Sequence, residues 1–122
     1  MNQPTNNNYD LEERTAKFGE SVICFCKSVN ENSINKPLIN QLVRSATSVG
    51  ANYMEANGAS SRKDFCNKIF ICKKESQETK HWFRMISQCN PEKTEDLRKL
   101  WQEAQELTMI FQKITNSLRS KN

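Results

Sequence analysis

The sequence is poor in glycine and proline, with three of each among 122 positions. That scarcity excludes a turn-rich all-β sandwich or barrel. A single histidine rules out any centre that needs two imidazoles from one chain. Long apolar runs are missing too. None approaches the roughly 20 residues of a membrane-spanning helix, so no membrane partner is expected. Five cysteines, Cys24, Cys26, Cys66, Cys72 and Cys89, are an odd number without paired spacing, which speaks against a disulfide framework. The opening segment MNQPTNNNYD is polar and has no apolar core of a signal peptide. With free thiols, the expected location is the reducing cytoplasm.

What is present favours helices. The helix formers Lys and Glu are abundant, and a modest apolar fraction of 36% requires one-sided helices with an apolar stripe and a solvated face. The length fits one domain that buries a core without metal or disulfides. Residues 1–9 read as an Asn-rich disordered lead-in, and residues 10–119 as the folded domain. Asp10, answered by Glu13, reads as a capping box opening a helix over about 10–29. Leu11, Thr15, Phe18, Val22, Phe25 and Val29 share its inner face. A second helix spans about 35–57, with Pro37 in its first turn, where a missing N–H does no harm. Leu38, Leu42, Ser45, Val49, Asn52 and Ala56 form its inner stripe, and Gly58 stops it. The third, about 61–89, opens on Ser61 and Asp64 and buries Phe65, Ile69, Cys72, Ser76, Thr79, Phe83 and Ile86. Asn90-Pro91 ends it. The fourth, about 92–118, presents Leu97, Leu100, Trp101, Ala104, Leu107, Phe111, Ile114 and Leu118. Four similar helices with short loops predict an all-α, up-down-up-down antiparallel four-helix bundle.

One stretch resists that simple pattern. In RSATSVGANYMEA, residues 44–56, polar residues are threaded through the apolar ones, and Gly50 sits at the centre. A mid-helix glycine costs about 1 kcal/mol against alanine, which is tolerated best where another backbone comes close. Arg44, Ser48 and Glu55 flank the inner stripe. Ile39, Val43, Ala46, Gly50 and Met54 extend the apolar surface on the other side, so the second helix has contacts on two sides. Glu75, Glu78 and Trp82 share a flank of the third helix, with Ser76 and Thr79 inward. Carboxylates there can accept from Arg44, Ser48 or Asn52. The expectation is a structural polar seam of Arg44, Ser45, Ser48, Asn52, Glu55, Glu75, Glu78 and Thr79 that fixes the register of two helices.

The same residues carry a resemblance. LVRSATSVGANYMEANGASSRKDFCNKI followed by CKKESQETKHWFRMI resembles the bacterial four-helix-bundle family of 23S ribosomal RNA intervening-sequence proteins. The match lies at Leu42, Arg44, Ser45, Ser48, Ala51, Asn52, Glu55, Phe65, Glu75, Glu78, Thr79 and Trp82. The resemblance implies a left-handed bundle assembling as a homopentameric ring. It extends distantly to accessory proteins of diversity-generating retroelements, which share the ring and bind nucleic acid and a reverse transcriptase. It brings no catalytic residues.

Chemical constellations give little. Glu78-x-x-His81 has the spacing of a di-iron ligand pair, but the second pair is missing, and His81 points about 160° from the core face. Cys24 and Cys26 also lie about 160° apart and cannot share a zinc ion. Cys72 reads as core, and Cys66 and Cys89 as partly buried. No third group orients a Cys–His pair. NGASSRKDF is a turn and a helix start, not a phosphate loop. No catalytic residue, metal or cofactor is therefore expected. The remaining signal is basic: Arg62, Lys73, Lys80 and Arg84 fall within a sector of about 40° on the third helix, with Lys63 and Lys74 further around. On one bundle this is an ordinary solvated face. Repeated around a ring it becomes a positive field for phosphate backbones. No aromatic residue is interleaved with that stripe, so base stacking is not expected. The functional expectation is a non-enzymatic self-assembling scaffold with RNA or DNA as candidate partner, through Arg62, Lys63, Lys73, Lys80 and Arg84. The alternative is an adaptor that docks a nucleic-acid enzyme as its protein partner.

Overall fold

The stripes described above close into four helices. The computed structural model describes residues 7–120: α1 Asn7–Lys27, α2 Asn35–Asn57, α3 Arg62–Cys89 and α4 Thr94–Ser120, with one 3₁₀ turn at Pro91–Lys93 before α4. No strand occurs among these residues. Each helix packs on its neighbour in the chain, and α4 closes against α1. Glu55 meets Lys68 while Arg44 meets Glu75, so α2 and α3 run antiparallel. The fold is an all-α four-helix bundle.

Local chemistry sets most helix ends. Asn32 Oδ1 accepts from the backbone N–H groups of Ile34 (3.0 Å) and Asn35 (2.7 Å), turning the chain into α2. Ser61 caps α3 by accepting from the Asp64 N–H at 3.0 Å, the N-cap bond that its sequence foreshadows. Gly58 follows α2, but its φ of −97° does not use the left-handed freedom of glycine. The first helix departs from expectation. It begins at Asn7, so Asp10 lies inside it instead of capping it, and residues 7–9 of the expected lead-in are helical. Residues 1–6 lie outside the described part. The helix also stops at Lys27, yet Val29 remains buried as the chain leaves it.

The core runs the length of the bundle. Leu11, Phe18, Val22, Leu42, Val49, Ile69, Cys72, Ile86, Leu107 and Phe111 are buried in one cluster. Diagonal space is filled by aromatic pairs: Phe18 meets Phe83 edge-on at 6.4 Å, and Tyr53 meets Phe111 at 6.2 Å. Tyr53 and Ala46 belong to this core, outside the inner stripe expected of α2. The buried face of α2 lies about 30° further from the polar flank than the spacing of the expected stripe predicts. Asn52 accordingly leans outward, half-buried. Gly50 has the close neighbour its position demands. A Cβ there would meet the Thr15 backbone carbonyl of α1 at 3.4 Å, and one on Gly19 would meet Thr47 at 3.6 Å. The two glycines let α1 and α2 cross closely.

At one end of the bundle a buried amide pair joins two chain turns. Asn90 Nδ2 donates to Asn35 Oδ1 at 2.9 Å, and Asn35 Nδ2 donates to Asn90 Oδ1 at 3.2 Å. Their remaining protons reach Ile86 O and Asn30 O. Both side chains are buried, so this reciprocity avoids the penalty of an orphan amide. On the α1–α4 side, Arg14 reaches Glu103 through two nitrogens, at 2.7 and 2.9 Å, and Glu106 at 2.6 Å. Neither cluster is evident from helical periodicity, because each joins positions far apart in sequence.

Candidate functional site

The α2–α3 contact gathers part of the expected seam. The Arg44 guanidinium reaches Glu75 at 3.4 Å and also pairs with Glu78. Trp82 donates its indole N–H to the same Glu78 carboxylate at 2.9 Å. That hydrogen bond, reinforced by Arg44, holds the Glu78 carboxyl below the usual carboxylate range. Deeper in, the fully buried Thr79 hydroxyl lies 2.9 Å from Ser45 Oγ and 2.8 Å from Glu75 O, and Ser45 lies 3.3 Å from Leu42 O. A hydroxyl has one proton and two acceptor sites, so the relay Thr79 to Ser45 to Leu42 O satisfies both. Glu55 pairs with Lys68 at 2.7 Å. Ser48 and Asn52 do not bridge the helices. Their side chains donate to Arg44 O (2.6 Å) and Ser48 O (2.8 Å) within α2, because a donor four residues on finds its own helix carbonyl first. Among the described residues no buried side-chain nitrogen or oxygen lacks a partner. The contact joins two helices, and its carboxylates are taken by Arg44, Trp82 and Lys68.

The opposite flank of α3, where it meets α4, holds the basic row. Lys73 donates to Gln112 Oε1 at 2.6 Å, and Lys80 donates to Gln105 Oε1. Arg62 donates to Leu118 O at 2.7 Å, closing the end of α4. Lys63 and Arg84 are exposed. Among the described residues, no carboxylate stands within ion-pair distance of Lys63, Lys73, Lys80 or Arg84. At about 100° per residue, no carboxylate of α3 or α4 shares the sector of the row. Glu75 and Glu78 turn to α2, and Glu103 and Glu106 to Arg14. Glu95, at the margin, is paired with Arg98 at 3.1 Å. The expectation that aromatics are absent from this stripe is overturned. The Lys80 ammonium lies 5.1 Å from the centroid of Trp101, and Lys73 lies 5.4 Å from that of Phe70. Trp101, read from the sequence as part of the α4 inner face, is instead 40% exposed. It sits at the edge of the α4 stripe, and only the packing of α3 beside it decides whether it is covered.

The thiols and the histidine stand apart. Cys72 is fully buried, and burial pushes its thiol up to about 12. The half-buried Cys26 is pushed up to about 11 for the same reason. Cys24 is exposed, as is Cys89, against the expectation that it is partly buried. His81 is exposed beside the Trp82 ring. Among the described residues no three His, Cys, Asp or Glu side chains converge as a metal site would need. Nor is any described helix long and apolar enough to cross a membrane.

Residues 7–118 match the family described as 23S rRNA-intervening sequence protein. A similar solved structure is that of a protein of unknown function from the S23 ribosomal protein family of Bacteroides thetaiotaomicron. It is 26% identical, with a TM-score of 0.79, and the alignment covers 89% of this chain and 97% of that one. No curated protein matches the chain.

Proposed function

This chain belongs to the 23S rRNA-intervening sequence protein family, and from that premise we propose that it is a non-enzymatic, cytoplasmic scaffold that assembles into a ring and holds RNA or DNA on its α3–α4 face. One observation carries the reading. The central lysines of that face are held by glutamine carbonyls, not by carboxylates. A neutral acceptor positions an ammonium without cancelling its charge, so the face keeps a field that a phosphate backbone answers.

Assembly has its own support. Ile23 and Met54 are exposed, at 39% and 59%, beside the α1–α2 crossing, and Met109 is 59% exposed on the outer side of α4. A closed ring of like subunits uses two different, complementary surfaces. An exposed apolar pair at the α1–α2 crossing and an exposed methionine on α4 suit that requirement, and the resemblance to ring-forming proteins suggests five copies.

Two measurements test the reading. Sedimentation velocity at micromolar concentration is expected to give a mass several times that of one chain; a monomer at all concentrations removes the ring. Fluorescence anisotropy at low salt is expected to show oligonucleotide binding that Lys73→Glu, Lys80→Glu and Arg84→Glu together abolish. If that triple variant binds as the parent does, the nucleic-acid role fails. The adaptor alternative then takes over, tested by whether a protein partner is retained after nuclease treatment.

A further inference from the structure

A row of lysines with neutral acceptors does not by itself choose between a duplex and a single strand. The two rings beside it do. Phe70 is 46% exposed and Trp101 40%, and each lies against one of the two central lysines. Lys73 and Lys80 are two helical turns apart on α3, about 10 Å along its axis. Two ring–lysine pairs therefore follow one another along this side of α3, Phe70 with Lys73 and then Lys80 with Trp101, and Arg84 comes one turn further on.

A duplex keeps the faces of its bases inside the stack and offers phosphates and groove edges. A single strand exposes base faces, and any base can stack on an aromatic ring whatever its sequence. Resting on the nucleic-acid reading above, we infer that the α3–α4 face is a platform for single-stranded nucleic acid. Phe70 and Trp101 stack bases, while Lys73, Lys80 and Arg84 hold phosphates between them. In the free protein each lysine has a glutamine carbonyl and a ring for company, both uncharged. On binding, the base takes the lysine's place over the ring, and the ammonium turns to a phosphate of opposite charge. No carboxylate in the sector opposes the strand.

The test uses the full chain and labelled oligonucleotides of roughly 16 nucleotides, the upper end of the site size of a small single-strand-binding fold. Deoxythymidine and uridine homopolymers are compared with a mixed-sequence duplex of equal length by anisotropy, with tryptophan emission followed in parallel. Single strands are expected to bind about tenfold or more tightly than the duplex and to quench Trp101. Trp101→Leu and Phe70→Leu are each expected to weaken single-strand binding about tenfold while leaving duplex binding and the salt dependence unchanged. Trp101→Phe keeps a ring and is expected to keep the affinity while losing the quench. Trp82, bonded to Glu78 on the other flank, supplies the unquenched background, and circular dichroism checks that the variants fold. Equal affinity for both forms, untouched by Trp101→Leu, overturns the stacking platform and leaves the phosphate-binding reading standing. Absence of binding to either form overturns both.

Discussion

Helix α3 meets α2 on one flank and α4 on the other, and cationic groups at the two contacts have opposite fates. Toward α2, Arg44 is answered by Glu75 and Glu78, so the contact is neutralised where it forms. Toward α4, Lys73 and Lys80 are answered by Gln112 and Gln105. Glutamine offers the same kind of carbonyl acceptor as glutamate at nearly the same reach, but it leaves a full positive charge behind. The acceptor's charge, not the hydrogen bond, thus separates a contact that sets register from a face that projects a field.

The comparison is broken most severely by exchanging the acceptors. Gln105→Glu with Gln112→Glu keeps every lysine and every ring but gives the α4 flank the chemistry of the α2 flank. Oligonucleotide affinity at low salt is expected to fall about a hundredfold, as two cationic contacts are withdrawn from the phosphates. Thermal stability is expected to hold or rise slightly, since exposed ion pairs contribute roughly 0–1 kcal/mol each. Titration by anisotropy and a melting curve of the same sample check both halves. The converse change acts on the other flank. Arg44→Glu sets a third carboxylate against Glu75 and Glu78 and is expected to cost about 2 kcal/mol of stability by urea unfolding. Oligonucleotide binding should be unaltered. A loss of binding with this variant would mean that the flanks do not act separately.

How far these flanks can be read from sequence differs in an instructive way. Regular spacing of Leu11, Phe18, Val22, Ile69, Phe83 and Leu107 is enough to place the core, because burial along a helix repeats every 3.6 residues. Arg44 with Glu75 and Glu78 is legible for a related reason: opposite charges stand on flanks that an antiparallel pair must bring together. Ser48 and Asn52 were misassigned to the interhelical network because spacing fixes a side chain's direction but not which of two acceptors it takes. Phe70 beside Lys73 is legible as a pair three residues apart on one helix, but the second ring beside the basic row is hidden for a third reason. Trp101 and Lys80 are on different helices, and their contact depends on the register of α3 against α4, which no single-helix pattern contains. The Asn35–Asn90 pair and the Arg14 cluster were missed on the same ground.

Acidity sharpens the contrast next. Glu78 is held below the usual carboxylate range, first by the Trp82 N–H and then by Arg44. A carboxyl whose folded pKa is depressed stabilises the fold above its unfolded value of about 4.3. That contribution is lost as pH falls through the folded value. Glu78→Gln is therefore expected to be less stable than the parent by roughly 1 kcal/mol at pH 7. The gap should close progressively below about pH 4.3. Urea midpoints at several pH values check it; a gap independent of pH would show that Glu78 acts through packing and not through its charge.

The smallest effect is also the most local. Cys72 Sγ lies 3.6 Å from Val49 O across the α2–α3 contact, fully buried with its thiol pushed up to about 12. A thiol reagent attacks the thiolate, so Cys72 reacts only when that contact opens and its pKa relaxes toward the ordinary value. Its labelling rate then measures the open population of this flank. Arg44→Ala, which removes the pairing without adding repulsion, is expected to cost about 1 kcal/mol and so to speed Cys72 labelling about fivefold. Cys26 on α1, half-buried with its thiol pushed up to about 11, distinguishes the routes. If the seam opens by itself, Cys72 accelerates and Cys26 does not. If both accelerate alike, the bundle opens as one unit, and the α2 and α4 flanks of α3 differ in charge but not in stability.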